Sequence, residues 1–327
     1  MMNAGDTGFI LICTAFVFFM TPGLAFFYGG LVRRKNVVNT MMACGAIMGL
    51  SVVMWTLFGY SLAFGGNHGG IIGDLRWFAL NGVGWEPGPY ADTIPHLVFV
   101  AFQMMFAMIT PALITGAVVG RMRFKALFFF IAIWSLIVYY PMAHMVWGIG
   151  GFLAKIGSVD FAGGNVVHIS SGVSALVLCL VLGKRKDYGK ANYRIHNIPF
   201  VVLGASMLWF GWFGFNAGSA LKADGLAAHA FMTSAISAGV AMLSWMLLDV
   251  IMDKKPDIVL LDVIMPKLDG ITVLEKVRAA NIGKDMPAVI MVTAAGNETV
   301  ASAAFRNGAS YYILKPFDRE VLLDKIR

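Results

Sequence analysis

The chain has 327 residues, of which 58% are hydrophobic and 13% charged, with a formal net charge of +7. A soluble domain carries about a quarter charged residues, so this composition excludes a wholly soluble protein and points to a membrane protein over at least part of the chain. The basic excess does not indicate nucleic acid, because Lys and Arg fall in short clusters between apolar runs, the pattern of membrane loops.

In chain order, seven apolar segments precede about Asp253, at approximately 8–32, 37–64, 96–119, 124–147, 163–182, 198–219 and 226–250. Each supplies the roughly 20 residues that a spanning helix needs. The first begins GDTGFILIC with neither a basic leader nor a small-residue cleavage site, so it reads as a span and not as a removed signal peptide. Gly, Ala and Ser are frequent (GLAFFYGG, SSGVSA, GASMLWFGWFG), which permits close helix packing, and Pro22, Pro111 and Pro141 predict kinks. Cys13, Cys44 and Cys179 lie in apolar runs without ligand spacing and read as small buried hydrophobes.

Loop charge sets the expected orientation. Arg33, Arg34 and Lys35 follow segment one, Arg121, Arg123 and Lys125 follow segment three, and Lys184, Arg185, Lys186, Lys190 and Arg194 follow segment five. The other loops are poor in base, so the positive-inside rule places the N-terminus outside a cell membrane and the chain after segment seven in the cytoplasm.

An ionisable group at membrane depth costs about 2.5–3.5 kcal/mol on insertion scales, so such groups tend to face a pathway or a partner. His168, in DFAGGNVVHISSG, is the best candidate, with a neutral histidine bonded between helices as the alternative. His144, in AHMVW, lies nearer a span end and reads as structural. Asp160 opens segment five, where an N-cap role alone would account for it.

The run DFAGGNVVHISSG, together with FQMMFAMITPALITGAVVG, AHMVWGIGG and WFGWFGFNAGSAL, resembles the ammonium transporter family of the Amt/Mep/Rh type over about residues 5–250. The resemblance implies a transporter and not an enzyme, a polytopic helix bundle in a lipid bilayer, ammonium or ammonia as substrate, no cofactor for transport, a homotrimer and PII-type signal proteins as partners. It makes Phe102, Trp147 and Ser219 the outer recruitment site, Phe106 and Phe215 the gate, His168 the pore histidine and Asp160 a structural acid beside the recruitment site. The physics agrees. Aromatic faces and a hydroxyl replace the hydration of a small cation, and an imidazole suits proton relay near neutral pH. Family members have about eleven spans arranged as an inverted repeat. The similarity here ends after seven, and no histidine follows His229 to pair with His168, so the expected pore is incomplete.

The remainder, 253–327, alternates strand and helix: PDIVLLDVIMP ends near Asp262, GITVLEKVRAA is amphipathic, PAVIMVTA ends at Thr293, TVASAAFRNGA stops at Gly308, YYILKPF ends at Lys315, and DREVLLDKIR begins another helix. The pattern predicts a partial α/β, flavodoxin-like sheet with its functional groups at the carboxyl ends of the strands. LDVIMPKLDG and ASYYILKPFD resemble response-regulator receiver domains of the CheY type, most nearly that of a sporulation transcription regulator. The resemblance makes Asp262 the phosphoacceptor, Thr293 and Lys315 the switch residues, and a histidine kinase or phosphotransfer protein the partner. It implies Mg²⁺ in a complete receiver. Here the first strand and its acidic pair are lacking, which leaves an incomplete site with Asp262 as a possible Mg²⁺ ligand, an open edge on the first remaining strand and a sheet face without its first helix.

The hexapeptide LLDVIM occurs twice, at Leu247–Met252 in the last apolar segment and at Leu260–Met265 in the first strand. A junction of two coding sequences with similar local text accounts for this, and three readings stand: an ammonium transporter, a phosphoaspartate signalling protein fused to a membrane sensor, or an inactive chimera.

Overall fold

Helix α1 (Ala4–Leu31) opens the first unit, capped by Asn3, whose Oδ1 accepts from the backbone N–H of Gly5 (2.8 Å) and Asp6 (3.1 Å). The computed structural model describes residues 1–190, 193–254, 258–263, 270–279, 287–294 and 298–326. Helix α2 (Val37–Met54) runs through a π turn at Trp55–Gly59 into α3 (Tyr60–Phe64). Two antiparallel ladders follow, β1 (Asn67–His68) with β2 (Ile72–Gly73) and β3 (Pro87–Gly88) with β4 (Ala91–Pro95). Helix α4 (His96–Val118) is apolar all round and the most buried of the spans, as its lack of a polar face requires. Helix α5 (Phe124–Trp134) passes through a second π turn, Ser135–Tyr139, into α6 (Tyr140–Trp147) and the short α7 (Phe152–Lys155). A third π turn, Gly164–Ile169, leads into α8 (Ser170–Leu182), followed by α9 (Ile198–Gly218) and α10 (Gly225–Lys254).

Among the described residues, seven helices are long and apolar enough to cross a membrane, each where the hydropathy pattern predicts one. Small residues let α1 and α9 meet backbone to backbone. A Cβ on Gly204 would stand 2.5 Å from the Gly23 carbonyl, and one on Gly214 would stand 2.6 Å from that of Cys13.

The chain divides into two compact units, Met1–Ser234 and Ala235–Arg327, and α10 contributes residues to both. At 1.5 Å per residue, 30 residues make a helix of about 45 Å against a hydrocarbon core of about 30 Å, so its last turns exceed what a span needs. In the second unit, β5 (Ile258–Asp262), β6 (Ala288–Thr293) and β7 (Tyr311–Leu314) form a parallel sheet in that order, with α11 (Gly270–Ala279), α12 (Glu298–Arg306) and α13 (Arg319–Ile326). The third strand stops at Leu314, so Lys315 lies one residue beyond the ladder and not at its last rung.

β5 is an edge strand among the described residues, as expected. One face of the sheet carries α10, α11 and α12, and the other, with Ile290, Val292 and Ile313, has Phe317 and Leu322 packed against it. Leu247 and Leu248 of α10 pack on the cluster of Leu261, Val263, Val273, Leu274, Val289 and Met291. The two copies of LLDVIM therefore serve one core in two ways. The first offers adjacent leucines from a helix, and the second alternates, with Leu260 exposed and Leu261 buried. Residues 255–257 of the expected junction and 264–269, including the end of the second copy, lie outside the described residues.

Candidate functional site

Helix α4 carries the centre of the first site. A cavity of about 200 Å³ is lined by Phe99, Gln103 and Phe106 of α4, Trp147 at the end of α6, and Asp160 and Ser219, with Tyr90 from the β3–β4 turn closing one side. Tyr90 is held by stacking on Phe99 (ring centroids 5.3 Å apart, planes at 7°) and by its hydroxyl donating to the Phe64 carbonyl (2.7 Å).

Below the cavity, Phe106 packs on Phe215 of α9 with centroids 4.5 Å apart, and both rings are buried. Phe106 also meets Trp147 edge-on at 6.1 Å. On the far side of Phe215, the His168 ring stacks on Trp212 (5.6 Å, planes at 9°) and lies 6.0 Å from Phe215. The sequence-predicted gate and histidine are thus brought together, in the order cavity, Phe106, Phe215, His168.

Asp160 explains the local fold. Its Oδ1 accepts from the N–H of Gly163 (2.6 Å) and Gly164 (2.7 Å), and its Oδ2 from Asn165 (2.7 Å) and Val166 (3.1 Å). One carboxylate therefore collects the orphan donors at the start of the π turn that holds His168. Gly163 sits at φ +123°, and a Cβ there would lie 2.7 Å from Val167 Cγ2, so glycine alone fits the entry. Trp147 is fixed in turn, its Nε1 donating to the Asp160 carbonyl (2.9 Å).

Ser219 lines the cavity with its hydroxyl donating to the Phe215 carbonyl (2.8 Å), which leaves the oxygen lone pairs as acceptors. Phe102 stands elsewhere. It is 1% exposed, sits edge-on to Phe106 at 5.0 Å and abuts Gly218, where a Cβ would be 2.8 Å from its ring, while Phe99 and Gln103 form the wall. Sequence reasoning passed over Gln103, whose buried Oε1 has no hydrogen-bond partner among the described residues. A lone amide in an apolar helix was the signal. Leu221, also on the wall, adopts φ +58°, a strained conformation for a branched residue.

His144 is fully buried between the Ala63 carbonyl (Nδ1, 3.0 Å) and Asn67 Oδ1 (Nε2, 3.0 Å), the structural placement expected of it. In the second unit, Asp262 ends β5, Thr293 ends β6 fully buried, and Lys315 Nζ lies 2.5 Å from Asp262 Oδ2. An ammonium occupies one oxygen of Asp262, and no three His, Cys, Asp or Glu side chains converge anywhere among the described residues.

Seven apolar helices long enough to span a bilayer, with an aromatic cavity lined by Phe106, define a multi-pass membrane protein. The family model of the Ammonium Transporter Family matches residues 8–263, and the chain belongs to that family. It is 51% identical over 255 residues to the ammonium transporter of Bacillus subtilis, covering 78% of this chain and 62% of that one. Among solved structures it resembles Saccharomyces cerevisiae Mep2 (37% identity, TM-score 0.70, 76% of this chain and 57% of that one) and Candida albicans Mep2 (31%, 0.71, 94% and 64%). The chain thus spans about three fifths of the length of these relatives. The model of the response regulator receiver domain matches residues 225–327, so the two matches share 225–263, the stretch that holds α10 and β5.

Proposed function

We propose that the first unit moves ammonium across a cell membrane, with its N-terminus outside and the second unit in the cytoplasm. The observation that carries this reading is the succession of cavity, Phe106–Phe215 pair and His168 along one line of contacts. A cation entering the cavity exchanges water for the rings of Trp147 and Phe106 and for the acceptor oxygen of Ser219. Carrying a bare ion past two buried rings is costly, which favours separating the proton from neutral ammonia at an imidazole. Phe102 then supports Phe106 from behind. Substrate, homotrimeric assembly and a PII-type partner come with the family reading. Methylammonium uptake in a transporter-deficient cell tests it: uptake above the empty-vector level supports the reading, and none rejects it.

A second reading rests on the Lys315–Asp262 pair at the carboxyl edge of the sheet. It makes the second unit a phosphoaspartate module served by a histidine kinase or phosphotransfer protein. Acetyl-phosphate labelling that disappears in Asp262→Asn tests it. Failure of both assays leaves an inactive chimera, and an uninterrupted frame in single long genomic reads across residues 247–265 would exclude an artefactual join.

A further inference from the structure

The first unit holds a second cavity, of about 420 Å³, where the carboxyl ends of α1 and α4 meet the loop between α8 and α9. Its polar wall comprises Arg33, Asn36, Arg185 and Tyr193. Two guanidiniums from different loops lean on one phenol ring, Arg33 Cζ at 4.7 Å and Arg185 Cζ at 5.6 Å from the Tyr193 centroid. The adjoining carboxylate, Asp187, is held by the Tyr193 hydroxyl (2.6 Å) and by Arg33 Nη1 (2.7 Å). Arg185 Nη1 donates to the Val119 carbonyl (2.5 Å), beside Gly120 at φ +68°. A Cβ on Gly120 would lie 2.9 Å from Arg185 Nη1 and 3.0 Å from Asn36 Nδ2, so the bare backbone lets two N–H donors converge.

Two guanidiniums against one carboxylate leave an excess positive charge at a cavity wall. Each guanidinium carries five N–H donors in a fixed fork, and among the described residues each spends one of them. Forks of this kind match oxyanions with bidentate geometry, and a phosphate presents enough terminal oxygens to engage two forks and an amide together. We propose that this cavity is an anion site for a phosphate group, held between Arg33 and Arg185 with Asn36 Nδ2 as a further donor. The group belongs either to a soluble phosphate or to a phospholipid headgroup at the membrane surface, since Arg33 follows the end of the first span by two residues. Bound there, it ties the loop after α1 to the loop after α8. The site is independent of the aromatic cavity and of the transport reading.

The test uses the full chain in phosphatidylcholine nanodiscs, titrated with inorganic phosphate and followed by ³¹P line broadening. Saturable broadening is expected, weakened about tenfold or more when Arg33→Gln and Arg185→Gln are combined. Asp187→Asn removes a competing acceptor and is expected to tighten binding, which a damaged fold would not do. In a second arm, native mass spectrometry compares retention of phosphatidylglycerol and phosphatidylcholine. Selective retention of phosphatidylglycerol by the wild type, lost in the double variant, assigns the site to a headgroup. Wild type and a folded double variant behaving alike towards both probes overturns the proposal. If the double variant does not fold, Asp187→Asn decides, and binding unchanged by it overturns the proposal.

Discussion

Phe106 and Phe215 face each other across the bundle with ring centroids 4.5 Å apart, and Phe215 in turn stands 6.0 Å from the ring of His168. Among the described residues, Phe215 is therefore the one ring packed on both Phe106 and the imidazole of His168. Phe215→Ala is expected to abolish methylammonium uptake selectivity, admitting other small cations, because an opening replaces the buried ring. Competition of labelled methylammonium uptake by K⁺ measures this, and selectivity equal to wild type would refute the gating role.

Trp147 lines the cavity while its Nε1 donates to the Asp160 carbonyl. A cation–π contact contributes about 0.5–2 kcal/mol, so Trp147→Leu is expected to raise KM for methylammonium by about 2–30-fold. The maximal rate should fall less than the affinity, as uptake across a concentration series will show.

Asp160 gathers four backbone donors, and each hydrogen bond to a charged group contributes about 1.5–3 kcal/mol, though not additively. Asp160→Ala is expected to destabilise the first unit by more than any single surface substitution, and Asp160→Asn, with one acceptor oxygen left, by less. Thermal unfolding in detergent checks the order. If the alanine and asparagine variants melt with the wild type, the capping role fails.

Asp187 titrates at about 2, well below the ordinary 3.8, because the Tyr193 hydroxyl and then Arg33 hold its charged form. A depressed carboxylate contributes its linkage above the ordinary value and loses it as pH falls from 3.8 towards about 2. The loop between α8 and α9 is therefore expected to stay tied to Arg33 through mildly acidic pH and to loosen only below about pH 4. Arg33→Gln should move that loosening upward. Spin-label distances between positions 34 and 188 across a pH series will measure it.

Leu247 and Leu248 cover the sheet of the second unit on the face that carries Leu261, the residue before Asp262. Truncating a buried leucine costs about 2–5 kcal/mol, and these two are partly buried, so Leu247→Ala is expected at or below the lower bound. Hydrogen exchange at Ile258–Asp262 should accelerate accordingly. By contrast, the exposed Lys315–Asp262 pair, with side chains 44% and 32% exposed, contributes about 0–1 kcal/mol, so Lys315→Met should leave exchange nearly unchanged.

Much of this protein was written locally. Run length and hydropathy determined the seven spans, because every backbone group in a bilayer must be satisfied within its own helix. Alternation and turn residues determined three parallel strands, with Asp262 and Thr293 at their ends. The family motifs named Phe106, Phe215, Trp147, Ser219 and His168, which the fold brings to one place.

What only tertiary structure decided is which face of each helix meets which neighbour. Rotation of α4 turned Phe102 towards Gly218 and put Gln103 on the cavity wall, and a loop distant in sequence brought Tyr90 opposite them. The covering of the receiver-like sheet was equally illegible. Leu247 and Leu248 read only as part of the last apolar segment, and the excess length of α10 carries them onto the cluster around Leu261. Hydrophobicity is a property of a residue, whereas the partner that buries it depends on how the whole chain is arranged.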